Sequence, residues 1–165
     1  DHAHCIGDIV DIPMDAAAGV IAVLSPQLSW ERNIAEAYHA ATTYADGTFY
    51  DNEYTAYRAN VWKAWHIMNK PANVADIVHG PKVTAFWRAI VGLSGGPCID
   101  RHATRVATAH THDQVTERTF YAVQAAYMDS ADALGLGSHV LQATVWLTCK
   151  RELQSTIGQQ TLGWY

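Results

Sequence analysis

The chain has 165 residues, of which 49% are hydrophobic, and a formal net charge of −5 at pH 7. Such a length favours one domain over residues 1–165 with room for a core, while the longest apolar run, residues 16–24, is too short to cross a bilayer. The negative balance excludes a protein that binds polyanions by bulk electrostatics alone.

The N-terminus and the cysteines favour a cytoplasmic protein. Three aspartates lie within the first eleven residues, where a signal peptide would carry basic residues, so we expect no leader. The cysteines are odd in number and far apart, namely Cys5, Cys98 and Cys149. We therefore expect free thiols in a reducing compartment.

The first twelve residues show no clear hydrophobic period, which predicts a partly ordered start or a truncated helix. A metal site is an alternative there, because histidines flank a cysteine. Its candidate ligands are His2, His4, Cys5, His110 and His112. Structural zinc sites have closer paired spacings than these residues show, so we expect no metal site.

Two helices are predicted before residue 46. Residues 13–25 are apolar on nearly every face, which predicts a buried helix. Ser29 is expected to N-cap the next helix, residues 30–45, with Ile34, Ala37, Tyr38 and Ala41 on its buried face.

A polar and aromatic loop is predicted over residues 48–52, followed by a helix over residues 53–69. Large apolar residues of this helix recur at three- and four-residue steps. For Trp62 and Trp65 we expect a place in the core rather than a base-stacking platform.

The next stretch, about residues 73–92, predicts two helices joined by a tight hairpin. Val74 and Ile77 anchor a short first helix, and Gly80-Pro81 opens a second helix that ends at Gly92. Lys82 falls in its first turn, where a cation opposes the helix dipole and therefore calls for a reason.

Three more helices complete an all-α prediction. Asp100 is expected to N-cap a helix through Val106, with a loop over residues 110–113. Residues 117–135 form a helix with Phe120, Val123, Ala126, Tyr127 and Ala131 inward, and Gly135 stops it. Ser138 caps the last helix, which runs to about residue 153 and buries Leu141, Val145, Trp146 and Cys149.

Two segments resemble the helix-hairpin-helix DNA glycosylases of the endonuclease III superfamily. One is Gly80-x-Lys82 followed, after a helix and a Gly/Pro turn, by Ile99-Asp100-x-His102-x-x-Arg105-Val106. Lys82 and Asp100 are 18 positions apart, which is similar to the family's spacing. The other is the Leu-Ser-x-Gln turn that ends at Gln27. The resemblance spans about residues 13–153 and implies a helical glycosylase domain.

The resemblance also implies an activity and a set of roles. Lys82 is the expected amine nucleophile, and Asp100 stabilises charge on the deoxyribose, so the expected enzyme is a repair-type DNA N-glycosylase with AP-lyase activity. The expected contacts to DNA come from Gln27 as the wedge and from His79, Gly80, Arg101, His102 and Arg105. The partner is double-stranded DNA with a damaged, modified or abasic nucleotide, bound by a monomer in a bacterial cytoplasm or a phage-infected cell.

The chain departs from the family pattern at two places. Val78 occupies the position of the first hairpin glycine, and the chain has too few cysteines for an iron–sulfur cluster. We therefore expect no resident cofactor beyond a monovalent cation at the hairpin. A phage-type enzyme of DNA base modification, a non-catalytic helix-hairpin-helix module and an unrelated helical scaffold stay open as alternatives.

Charge is concentrated in a way that bears on these alternatives. Residues 55–105 hold seven Lys and Arg against two Asp, a local balance of +5 that leaves −10 for the rest of the chain. A basic middle in an acidic chain predicts local phosphate contacts with a modest, salt-sensitive affinity.

Overall fold

The computed structural model describes residues 2–93, 95–109 and 114–162. Every regular element over these residues is a helix, which confirms the predicted all-α fold class. By its internal contacts the chain divides into two units, residues 1–95 and 96–165. The single domain over residues 1–165 stays a prediction.

The first unit is built around one central helix. Its six α-helices are α1 (His2–Val10), α2 (Met14–Leu24), α3 (Trp30–Ala45), α4 (Arg58–Asn69), α5 (Val74–Ile77) and α6 (Pro81–Val91). Helix α2 contacts all five others, and its residues 16–24 are buried without exception. A helix that is apolar all round can satisfy its surface only in this central position.

The chain begins with a packed helix where we expected a partly ordered start or a truncated helix. Helix α1 lies against α2 and α3, with Ala3 and Ile6 fully buried. The backbone N–H of Ile12 donates to the Gly7 carbonyl at 3.0 Å, and a side chain at Gly7 would meet the Ile12 carbonyl oxygen. The buried residues of α1 are Ala3, Ile6 and Gly7. Three residues, two of them small, are too few to show a helical period in the sequence.

Helix α4 begins at Arg58, five residues later than the predicted start at residue 53. The preceding residues 53–57 are not helical, and α3 supplies hydrogen-bond partners to them. The Thr55 backbone N–H donates to the buried Glu36 carboxylate, and Arg32 donates to the Thr55 hydroxyl. The predicted loop before it contains a 3-10 helix, Phe49–Asp51.

Several side chains predicted to be buried are not. Trp62 is 42% exposed and Trp65 is half-buried, so the prediction of a core position is wrong for Trp62. On α3 the deepest positions include Asn33 and Glu36, while Ile34 and Tyr38 are half-buried. The predicted burial of Ala37 and Ala41 is confirmed, so hydrophobic spacing identified α3 and part of its inward face.

In the described part of the second unit, residues 96–109 and 114–162, the helices are α7 (Arg101–Ala107), α8 (Glu117–Leu134) and α9 (Ser138–Leu162), which contact one another. Ile99 and Phe120 lie in its core, and Gly135 ends α8 with φ 65°, as predicted. Ala126 and Trp146 are exposed, contrary to prediction. Helix α9 runs past the predicted end near residue 153.

Two further observations bear on the sequence predictions. The predicted loop over residues 110–113, with His110 and His112, lies outside the described residues. Among the helices that the structure describes, none combines the length and the apolar character that a membrane span requires.

Candidate nucleic-acid interface

A short connection joins α5 to α6 where the sequence predicts a hairpin. Gly80 is exposed and has φ 91°, a backbone conformation open to glycine and costly for other residues. Its carbonyl accepts from the Thr84 backbone N–H at 3.0 Å, and Pro81 occupies the first helical position. The two helices and the glycine turn are as predicted, and their assignment as a DNA-binding helix-hairpin-helix stays a prediction.

The hairpin is fixed to the core of the first unit from both sides. A Cβ built on Gly19 of α2 would overlap Val74 Cγ2 and would lie 3.4 Å from Val78 Cγ2, so both valines pack on that glycine. Across the α2–α6 contact, Trp87 Nε1 donates to the Asp15 carbonyl at 2.8 Å. These contacts hold the turn between α5 and α6 in one place.

Basic groups lie on and beside this hairpin. Lys82 is exposed in the first turn of α6, which contains no acidic residue. Exposed His79 is paired with Lys63 of α4, and the Nζ and Nε2 atoms are 3.3 Å apart. A phosphate approaching the turn would meet both Lys63 and His79.

Gln27 has an unusual backbone. It lies between α2 and α3 with its side chain exposed and φ 66°, the left-handed region that residues other than glycine rarely adopt. The Leu28 backbone N–H donates to the Ser25 carbonyl at 3.1 Å and closes the turn. Strain of this kind is commonest where a side chain must point in a set direction, which suits the predicted wedge.

A pair of substitutions separates the strain at Gln27 from its function. We expect Gln27→Gly to stabilise the protein by up to about 1 kcal/mol because glycine relieves the left-handed strain, and Gln27→Ala to give no such gain. Urea unfolding measures this difference. Both variants should lose flipping of a fluorescent base analogue in duplex DNA if the side chain is the wedge. Flipping at the wild-type level in either variant would reject that role.

Asp100 lies in the second unit and is the N-cap that the sequence predicts. Its Oδ1 accepts from the Ala103 backbone N–H at 2.8 Å, and its carbonyl accepts from Thr104 Oγ1 at 3.0 Å. Two side chains hold the segment that precedes Asp100. Gln124 Nε2 of α8 donates to the Pro97 carbonyl at 3.0 Å, and Gln142 Nε2 of α9 donates to the Cys98 carbonyl. The carboxylate is therefore held in a defined direction.

A buried tyrosine lies near this carboxylate. Burial raises the pKa of Tyr127 above its ordinary value, and electrostatic interactions with Cys149 and Asp100 raise it further, so the phenol stays protonated at neutral pH. Sequence reasoning assigned Tyr127 to the core and gave it no role.

The remaining predicted contacts divide between the two units. Arg101 and His102 are exposed on the first turn of α7, and Arg105 is half-buried on its last turn. Lys82 belongs to the first unit and Asp100 to the second, so their action as a pair stays a prediction. Within the described residues no cluster of His, Cys, Asp and Glu is arranged to hold a metal ion.

Sequence reasoning missed an aromatic cavity in the first unit. A space of about 400 Å³ lies between the 3-10 helix Phe49–Asp51 and the start of α4. Exposed rings of Tyr50 and Trp62 line it, together with the side chain of Arg58. The density of aromatic residues between positions 49 and 65 was the available signal.

The fold and these features define an all-helical protein with basic groups at a glycine hairpin and an oriented aspartate. The chain belongs to DUF7178, a family of unknown function whose sequence profile matches residues 1–153. Comparison with curated proteins gives no significant match. Comparison with solved structures gives none either.

Proposed function

We propose that this protein is a DNA glycosylase with AP-lyase activity that acts on a damaged or modified base. The observation that carries the proposal is the position of Lys82, exposed in the first turn of α6 and two residues after the left-handed Gly80. This local structure agrees with the glycosylase resemblance of the segment. The helix dipole disfavours a cation at this position, which supports a functional role for the amine.

The proposed chemistry needs three parts. The target nucleotide must leave the base stack, which suits a wedge at Gln27. The Lys82 amine, in its neutral form, attacks C1′ of the deoxyribose; the C1′–N glycosidic bond breaks, and the base leaves with a proton. The C1′–O4′ bond of the sugar then breaks as the nitrogen lone pair forms the protonated Schiff base, and O4′ takes up a proton. Loss of a proton at C2′ finally eliminates the 3′ phosphate. Asp100 stabilises the positive charge that develops on the sugar.

The charge pattern supports a local contact with DNA. Lys63, His79 and Lys82 all belong to the basic middle of the chain, which carries +5 within a total of −5. Each phosphate that a protein neutralises releases counterions, so affinity falls with salt in proportion to the number of contacts. A small basic surface on an acidic protein should therefore bind DNA with a modest affinity that falls as the salt concentration rises.

Borohydride trapping tests the proposal directly. The whole protein is incubated with duplexes that carry an abasic site or one base from a panel of damaged and modified bases, and borohydride is then added. A covalent adduct on the abasic duplex and on one modified duplex is the expected result. DNA binding without any adduct or base release would overturn the glycosylase and assign the hairpin to binding alone.

Asp100→Asn is expected to lower base release by about 10²- to 10³-fold, the usual cost of removing one group that stabilises transition-state charge. Asparagine is as good an N-cap as aspartate, so the free energy of unfolding should change by only a few tenths of a kcal/mol. Single-turnover base release and urea unfolding measure the two effects. Asp129→Asn, at an exposed position on α8, is the matched control and should leave both unchanged.

A further inference from the structure

The cavity beside α4 has the size and shape of a small-ligand site. Its volume of about 400 Å³ lies within the usual range for such sites. Six side chains that bear on its chemistry line it, namely Tyr50, Asn52, Glu53, Tyr54, Arg58 and Trp62. None of the residues that the sequence predicts for glycosylase chemistry is among its described lining residues.

Two of these side chains present aromatic rings to solvent. Tyr50 is 59% exposed and Trp62 is 42% exposed, and their ring centroids are 5.3 Å apart with planes inclined by 46°. For a ligand ring to fit between Tyr50 and Trp62, their rings would have to lie about twice the ~3.4 Å stacking distance apart. The observed centroid distance of 5.3 Å is too short for that. A planar ligand would therefore stack on the open face of one ring.

The wall behind these rings is rigid. The Phe49 and Tyr54 rings are in contact, with centroids 5.1 Å apart. The Tyr54 hydroxyl pairs with Thr43 Oγ1 at 2.7 Å and with the Phe49 carbonyl at 3.2 Å. Burial raises the pKa of Tyr54, so these hydrogen bonds persist at neutral pH. The cavity is thus formed before any ligand arrives, which reduces the entropy lost on binding.

The polar groups that line the cavity include both signs of charge, Arg58 and Glu53. Arg58 is the first residue of α4, whose first turn has no acidic residue and no side-chain cap from Tyr57. The guanidinium and the helix N-terminus together favour an anion there. Glu53 supplies a carboxylate acceptor, and Asn52 is oriented by its Nδ2 hydrogen bond to the Thr48 carbonyl at 2.7 Å.

We infer that this cavity binds a nucleotide, with the base stacked on Tyr50 or Trp62 and the phosphate at Arg58. A nucleobase supplies the planar ring, and its exocyclic amino group suits the Glu53 carboxylate. A nucleotide carries both a flat aromatic ring, which can stack on Tyr50 or Trp62, and an anionic phosphate, which can pair with Arg58. The nucleotide has two sources, a free mononucleotide or one residue of an unpaired DNA strand.

Calorimetry and fluorescence anisotropy distinguish these sources. The four deoxynucleoside 5′-monophosphates are titrated into the whole protein, with deoxyribose 5-phosphate as the control that lacks a base. A dye-labelled single-stranded oligonucleotide is titrated in parallel. Binding of mononucleotides but not of the sugar phosphate supports a free-nucleotide site, and binding of the oligonucleotide alone supports a strand site. No binding of either at millimolar concentration would overturn the inference.

Variants assign the binding to the cavity. Tyr50→Ala and Trp62→Ala should each weaken binding by about 5- to 150-fold, the range for loss of one base-stacking ring. Tyr57→Ala is the matched control, because Tyr57 is 53% exposed and is not among the lining residues. Trp62→Phe, which keeps an aromatic face, guards against loss of folding and should retain most of the affinity. Equal weakening in Tyr50→Ala and Tyr57→Ala would refute the assignment.

The inference does not depend on the proposed glycosylase. Lys82 is not among the cavity's lining residues, so Lys82→Ala should bind nucleotides with wild-type affinity. Conversely, Tyr50→Ala should still give a borohydride adduct on an abasic duplex, where no base is needed. Failure of one proposal therefore leaves a distinct experimental signature from failure of the other.

Discussion

Lys82→Ala is expected to reduce the borohydride-trapped adduct on an abasic duplex to background. A Schiff base requires a primary amine, and the methyl group of alanine cannot form one. The position is exposed on the first turn of α6, so the substitution removes no buried contact and should leave unfolding by urea almost unchanged. Gel electrophoresis of the trapped complex provides the measurement.

Two companion variants make the result specific. Lys82→Arg keeps the positive charge but presents a guanidinium that does not deprotonate in proteins, so it should bind DNA normally and give no adduct. Lys70→Ala removes an exposed lysine at the end of α4 and should give the wild-type adduct. An adduct of wild-type yield in Lys82→Ala would assign the chemistry to another amine.

Helix boundaries set by local chemistry could be predicted from the sequence. Ser29 accepts a hydrogen bond from the Arg32 backbone N–H, Asp100 accepts one from Ala103, and Gly92 ends α6 in the left-handed conformation. Each of these involves residues at most three positions apart, except for the glycine, which acts alone. The predicted positions of all three are confirmed.

Features that depend on distant partners could not be predicted in this way. The start of α4 moved to Arg58 because Glu36, nineteen positions before Thr55, accepts the Thr55 backbone N–H. Trp62 is exposed because α4 turns its other face to α2, with Ile67 and Ala64 fully buried. The spacing of apolar residues predicts that a segment is helical, but it does not show which face of the helix packs against which neighbouring helix.

The candidate site shows the same division. Sequence placed Gly80 and Lys82 correctly in a turn and a first helical turn, since both follow from Gly-Pro chemistry. The left-handed backbone of Gln27 follows no such local rule, because glutamine has no preference for it. The aromatic cavity lies between the 3-10 helix Phe49–Asp51 and α4. Amino-acid composition shows that the aromatic residues are present but does not show that these two elements lie side by side.

Gly19→Ala is expected to destabilise the protein, although alanine is the better helix former. Alanine is favoured over glycine in a helix by about 1 kcal/mol, so an unconstrained site would gain stability. Here the added methyl group would overlap Val74 Cγ2 and press on Ile67 and Val78. Overpacking of a buried contact costs about 1–3 kcal/mol, which exceeds the gain in helix propensity over most of that range. Gly137→Ala, which meets only an ordinary contact with Val140, is the control.

A double-mutant cycle shows whether the hairpin rests on this glycine. Val74→Ala removes the atom that the new methyl group would strike, so Gly19→Ala should cost less in that background, with a coupling of about 0.5–3 kcal/mol by urea unfolding. Since Val74 belongs to α5, displacement of the hairpin should also weaken duplex binding in Gly19→Ala, and the double variant should recover it. Additive free energies would mean that α2 and α5 approach less closely than the structure indicates, and the hairpin would then need another anchor.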